Sequence, residues 1–144
     1  MPWALTGDTY AQQFARVTGS NYGDNLSLSN HADRVYGAGG NDYIWSGAGN
    51  DSIWGGLGND TINAGSGDDL ILGQQGSDRI DGGDGYDTLL FSGNRADYQL
   101  NIVDGAYQIT HLLPDGQDGI DTFANIEALR FADQTVLVDE FQFV

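Results

Sequence analysis

Gly55-Gly56-Leu57-Gly58-Asn59-Asp60-Thr61-Ile62-Asn63 is a nine-residue unit of small residues, one aspartate and one aliphatic, and the same pattern recurs on both sides of it. Aspartate returns every nine residues at Asp24, Asp33, Asp42, Asp51, Asp60, Asp69, Asp78 and Asp87. An aliphatic always stands two places later, at Leu26, Val35, Ile44, Ile53, Ile62, Ile71, Ile80 and Leu89. Glycines open backbone angles closed to other residues, so the first six positions predict a turn, while the x-aliphatic-x triplet predicts a short strand. Neighbours in a strand point to opposite faces, which sends the aliphatic inward and its flanks outward. Two units then make one coil of 18 residues.

Stacked coils place Asp24, Asp42, Asp60 and Asp78 along one edge and Asp33, Asp51, Asp69 and Asp87 along the other. Two rows of aliphatics give a thin core, and glycine-rich turns lose more entropy on ordering than any other segment. Repelling carboxylate columns add to that cost. The columns therefore call for a cation, and calcium takes six to eight hard oxygen ligands, carboxylates and turn carbonyls among them.

The unit matches the glycine-glycine-x-glycine-x-aspartate-x-aliphatic-x nonapeptide, and over residues 19–90 the chain resembles the repeats-in-toxin (RTX) family of hemolysin-type calcium-binding repeats. The resemblance implies an all-β fold, a right-handed parallel β-roll (a β-solenoid) with 18-residue coils. It also implies about four to six Ca2+ ions, each between two stacked turns. Carried onto this chain, the aspartate pairs are Asp24 with Asp42, Asp42 with Asp60, Asp60 with Asp78, Asp33 with Asp51, Asp51 with Asp69, and Asp69 with Asp87. Further ligands would come from the turns: Gly39, Asn41, Ala48, Asn50, Gly56, Leu57, Gly58, Asn59, Gly65, Ser66, Gly67, Asp68, Gln75, Ser77, Gly83, Asp84 and Gly85. The first two units depart from the motif, with Ser20, Tyr22, Leu28, Ser29 and His31 where glycine is wanted, so sites at Asp24 and Asp33 are weaker than those from Asp42 to Asp87. Gln74 and Gln75 are milder departures.

Nineteen of the 21 acidic residues are aspartate, lysine is absent, and the net charge is -16. That balance argues against nucleic acid and anionic membrane surfaces as partners, since both demand basic patches. A merely solvated acidic surface would scatter Asp and Glu rather than set them in a ladder. Six calcium ions would bring the charge to about -4 and relieve the self-repulsion. Cysteine is absent, which excludes disulfides and thiolate sites. No signal peptide is read at the N-terminus and no apolar run is long enough to span a membrane.

Three segments are expected: an N-terminal cap over 1–18, the calcium-binding roll over 19–90, and a C-terminal β-rich cap over 91–144. Tyr10, Phe14 and Val17 suit a short amphipathic helix with Asp8 as its cap, the alternative being an irregular strand that continues the roll. Tyr98 to Val103 and Ala106 to Leu112 flank Asp104-Gly105, a strong hairpin turn. The stretch from Asp118 to Asp133 resembles a trailer found after RTX repeats; its Asp118, Asp121 and Glu127 could ligate another calcium but read more simply as surface carboxylates. Outward-facing Tyr36, Trp54, Leu72 and Leu90 form an apolar ladder that the C-terminal hairpin or the N-terminal helix is expected to cover. The other face, with Ser27, Trp45, Asn63 and Asp81, is mostly polar.

No catalytic constellation emerges, and the chain is not expected to be an enzyme. His31 and His111 lie in unrelated contexts, and no G-x-S-x-G elbow, P-loop or HExxH is present. The RTX resemblance implies a monomeric module secreted from a Gram-negative bacterium through type I secretion machinery, folding outside where calcium is millimolar. Val138 to Val144, acid followed by apolar residues, looks like the uncleaved export signal of that route. The alternatives are an extracellular adhesin or saccharide-binding module using Tyr43 and Trp45, and the non-catalytic tail of a secreted hydrolase or epimerase.

Overall fold

The computed structural model describes residues 16–114 and 117–140. The x-aliphatic-x triplets are strands: β1 (Arg16–Thr18), β2 (Asn25–Ser27), β3 (Arg34–Tyr36), β4 (Tyr43–Trp45), β5 (Ser52–Leu57), β6 (Thr61–Asn63), β7 (Leu70–Gln75), β8 (Arg79–Asp81) and β9 (Thr88–Leu90). After Leu90 follow β10 (Tyr98–Val103), β11 (Ala106–His111), β12 (Ile120–Ala124), β13 (Ala128–Arg130) and β14 (Thr135–Leu137), with one-turn 3-10 helices at Arg95–Asp97 and Val138–Glu140.

Odd and even roll strands sort into two sheets, β1-β3-β5-β7-β9-β13-β14 and β10-β11-β12-β8-β6-β4-β2. Within each, the roll strands are parallel and in register at an offset of 18 residues, as in Val35 beside Ile53 and Ile44 beside Ile62. This is an all-β parallel solenoid. The inward aliphatics from Leu26 to Leu89 are all buried between the sheets.

The expected N-terminal helix is not supported. Residues 8–15 of it lie outside the described residues, while Arg16 and Val17 belong to β1, which pairs in parallel with β3. Arg16-Val17-Thr18 is itself an x-aliphatic-x triplet, and Val17, 18 residues before Val35, continues the core ladder at 4% exposure. Burying that valine in register outweighs a helical pattern only ten residues long.

The period stops after Leu90, but the coil does not. Thr122-Phe123-Ala124 pairs in parallel with Arg79-Ile80-Asp81, and Ala128-Leu129-Arg130 with Thr88-Leu89-Leu90, making one more turn of the solenoid. The Asp104-Gly105 hairpin forms as expected, with φ of 51° and 81° at its two turn residues and Val103 opposite Ala106. Its position differs from the expectation: β11 pairs antiparallel with β12, so the hairpin extends one sheet at its edge rather than covering Tyr36, Trp54, Leu72 and Leu90. An unpaired strand edge offers a full row of backbone donors and acceptors, which a hairpin satisfies better than an apolar face does. The ladder residues stay half-buried, with the Tyr36 and Trp54 rings stacked 4.6 Å apart. His111 stacks on Tyr98, a structural role.

Candidate metal centre

Each repeat aspartate closes a turn immediately before its strand and is buried: Asp33 to Asp87 are at most 2% exposed and Asp24 is 7% exposed. One carboxylate oxygen has a fixed task. Oδ1 of Asp42, Asp60 and Asp78 accepts the backbone N–H of Asp24, Asp42 and Asp60, and Oδ1 of Asp51, Asp69 and Asp87 accepts that of Asp33, Asp51 and Asp69, at 2.7–2.9 Å. These bonds lock the two columns expected from the period.

The second oxygen has none. Oδ2 of Asp42, Asp51, Asp60, Asp69, Asp78 and Asp87 is buried without a hydrogen-bond partner. A β-carbon built on Gly37 would lie 2.4 Å from Asp42 Oδ2 and 2.3 Å from the Gly55 carbonyl oxygen. On Gly55 it would lie 2.5 Å from Asp60 Oδ2 and 2.7 Å from the Gly73 carbonyl. At these two turns glycine leaves room for a bare carboxylate oxygen and a carbonyl of the next coil to close on the same hollow, whereas Ser46 and Ala64 hold the equivalent positions before Asp51 and Asp69.

A buried carboxylate with an unmet oxygen is expensive, and the carboxyl groups register that cost. Burial lifts Asp51, Asp60 and Asp87 to about 7, and Asp69 and Asp78 to about 6, against the opposing pull of the N–H each one accepts. Asp42 is raised by the same cause. Like charges of stacked neighbours push Asp42, Asp51, Asp60 and Asp87 further in the same direction.

Carboxylate and carbonyl oxygens are the donors along Asp42 to Asp87, so the set fits a hard divalent cation rather than a softer metal. Among the described residues no three His, Asp or Glu side chains converge on one point. Each shell therefore needs turn carbonyls. Those of Gly65, Ser66, Gln75 and Asp84 each accept one N–H from an adjacent coil, and a carbonyl oxygen keeps a second lone pair. Gly56 and Gly58 hold φ of 102° and 109°, the left-handed turn geometry that non-glycine residues resist.

The residues just before the aspartates are brought together differently. Asn41 Oδ1 accepts the Asn59 N–H, Asn59 Oδ1 the Ser77 N–H, Asn50 Oδ1 the Asp68 N–H and Asp68 Oδ1 the Tyr86 N–H, all at 2.8–2.9 Å. Their side chains form exposed ladders beside the columns, and the Asp68 charge adds to those of Asp69 and Asp87.

The first two turns are closed by serine. Ser20 N–H and its hydroxyl donate to Asp24 Oδ2, and Ser29 does the same for Asp33 Oδ2. None of Ser20, Tyr22, Ser29 or His31 adopts a positive φ, so these turns take another backbone path. At the opposite end, the structure adds two acids that sequence reasoning read as surface groups. Asp121 Oδ1 accepts the Asp78 N–H and Glu127 Oε2 the Asp87 N–H, both at 2.8 Å. Asp121 is 3% exposed, and burial followed by repulsion from Asp78 lifts it to about 9. The signal that could have found it is Gly119-Ile120-Asp121-Thr122-Phe123, a late copy of Gly76-Ser77-Asp78-Arg79-Ile80.

No curated protein matches the chain. A four-copy profile of the RTX calcium-binding nonapeptide repeat matches residues 18–53, 27–62 and 54–89, half of the sequence. With the aspartate columns, the unmet carboxylate oxygens and the parallel solenoid, that match places the chain in the RTX calcium-binding nonapeptide repeat family.

Proposed function

We propose that the chain is a calcium-dependent folding module of an exported protein, unfolded where calcium is scarce and folded outside the cell. The six bare Oδ2 oxygens carry this reading, because without a cation they are a penalty built into the fold. The gaps between Asp42 and Asp60, Asp60 and Asp78, Asp51 and Asp69, and Asp69 and Asp87 hold the ions, with carbonyls of the intervening turns completing each shell. The roll over 19–90 is the metal-binding segment, Arg16–Thr18 continue it, and the described residues after Leu90 cap it. Export through type I machinery follows from the family's usual setting, and among the described residues no helix is long and apolar enough to cross a membrane. The role is structural rather than catalytic, and the module works as a monomer. Limited proteolysis tests it: chelator should leave the chain open to cleavage throughout, and millimolar calcium should protect residues 34–131 as one block. Equal resistance in both conditions would contradict it.

A saccharide-binding role has one observation in its favour. Tyr43 and Trp45 are 52% and 54% exposed on the polar face, and Trp45 lines an open groove of about 530 Å3 with Asn63, Asp81 and Asn125. Trp fluorescence quenched by a glycan but unchanged in Trp45→Ala would support it.

A further inference from the structure

We propose that the coil formed by residues 117–130 is a working part of both metal columns, so that Asp121 and Glu127 ligate two further calcium ions against Asp78 and Asp87. This rests on the calcium reading of the columns.

The carboxylate geometry shows which gaps are open. Three of the bare Oδ2 oxygens share a hollow with a carbonyl of the coil that follows: Asp42 with Gly55, Asp60 with Gly73 and Asp87 with Asn125. The six bare oxygens therefore mark six gaps. Four lie within the repeats; the other two belong to Asp78 and Asp87, whose backbone N–H groups donate to Asp121 and Glu127 of the coil that follows. The gaps above Asp24 and Asp33 are the ones that serine has closed. Read from the oxygens, the set of sites is displaced one coil toward the C-terminus relative to the run of aspartates.

Residues 117–130 reproduce the missing turns on both edges. On the Asp78 edge, Gly76 N–H donates to the Gln117 carbonyl as Gly58 N–H does to that of Gln75. A β-carbon on Gly119 would meet the Gly76 carbonyl at 2.4 Å, as one on Gly76 would meet that of Gly58 at 2.0 Å, and both glycines have positive φ. Asp121 then receives the Asp78 N–H just as Asp78 receives that of Asp60. A cavity of about 180 Å3 lies beside this gap, lined by Gly73, Gln75, Gln117, Asp118 and Asp121 together with Leu72, Leu90 and Phe91. On the Asp87 edge, a β-carbon on Gly82 would lie 2.6 Å from Asp87 Oδ2 and 2.2 Å from the Asn125 carbonyl, the same hollow found at Gly37 and Gly55. Asn125, at φ of 53°, supplies the carbonyl that Gly55 and Gly73 supply elsewhere. Glutamate at 127 supplies the reach lost by a turn of two residues, Asn125 and Ile126, where the repeats use five.

The experiment counts calcium on the full chain by native mass spectrometry and calorimetry. Asp121→Asn and Glu127→Gln keep the oxygen that accepts the backbone N–H while losing charge, and each should bind one ion fewer than the unaltered chain. Asp24→Asn should bind the same number as the unaltered chain. If the unaltered chain binds no calcium, the calcium reading fails. If it binds calcium and both amide variants bind equally many ions at the same midpoint, this inference alone is overturned. Should the amide variants not fold, crystals of the unaltered chain grown in calcium decide: ion density beside Asp121 and Glu127 is expected, and its absence at both gaps overturns the proposal.

Discussion

Asp60 N–H donates to Asp78 Oδ1 across 18 residues at 2.8 Å, while Asp78 Oδ2, on the same carboxylate, is buried with no partner. Half of the group builds the stack and half is buried without a partner. The relationship repeats along both edges, which couples the fold to the metal: the bonds that set coil spacing hold the bare oxygens in place. Binding free energy at such sites appears as folding free energy.

Asp60→Ala should damage the module more than Asp24→Ala. Asp60 accepts the Asp42 N–H and presents a bare oxygen beside the Gly73 carbonyl, whereas the second oxygen of Asp24 is already taken by Ser20. Leaving a buried N–H unmet costs roughly 1–3 kcal/mol before any ligand loss. In saturating calcium, denaturant unfolding should show a drop of at least about 2 kcal/mol for Asp60→Ala and about 1 kcal/mol or less for Asp24→Ala. Equal losses would contradict the assigned stacking.

Acid should stabilise the metal-free chain. Asp51, Asp60 and Asp87 titrate at about 7 when folded and Asp69 and Asp78 at about 6, all above the usual value of about 3.9 in an unfolded chain. The folded state thus binds more protons than the unfolded one between about pH 4 and 7, and stability falls as pH rises through that window. In chelator, circular dichroism should report more β-structure at pH 5 than at pH 8, while calcium affinity, which requires displacing those protons, runs the opposite way. A metal-free chain most ordered at pH 8 would refute the assignment.

Two repeat positions are improvable. Ala38 and Gln74 hold φ of 79° and 76° where other units place glycine. Left-handed backbone costs a non-glycine residue about 1–2 kcal/mol, and glycine gives back about 0.5–1 kcal/mol of it as chain entropy. Ala38→Gly and Gln74→Gly should each gain roughly 0.5–1 kcal/mol in thermal unfolding with calcium. Gly58→Ala should instead cost about 3 kcal/mol or more, because φ is 109° and the added carbon would lie 2.1 Å from the Gly40 carbonyl.

A chain ending at Leu90 should fold poorly. It loses Phe123 and Leu129, which cover Ile80 and Leu89, and leaves two sheet edges unpaired. Calcium titration with light scattering should show a higher midpoint and association relative to the full chain. A monomer folding at the same calcium concentration would mean that residues 91–144 are not a structural cap.

The roll was legible because one period carries both signals. The aliphatics from Leu26 to Leu89 and the aspartates from Asp24 to Asp87 land where a period of nine puts them, and each unit has the same neighbours above and below. Features outside the period were harder to read. Val17 fits the ladder but precedes the first recognisable turn, so a helical spacing with Tyr10 and Phe14 competed with it. Asp121 and Glu127 arrive after an inserted hairpin that breaks the count, and Phe123 replaces the aliphatic. The unmet oxygens could not be inferred at all, since which carboxylate oxygen accepts an N–H is decided by coil spacing.

Far-ultraviolet circular dichroism of the full chain, first in chelator and then through a calcium titration to several millimolar, tests the central claim most directly. A disordered spectrum should give way cooperatively to β-structure, with a midpoint on the order of 0.1–1 mM as expected for extracellular calcium modules. Magnesium at the same concentrations should substitute poorly, because it demands a tight octahedral shell and retains its water. An unchanged β-spectrum in chelator and in calcium at pH 8 would show that the buried carboxylates do not tie folding to the metal.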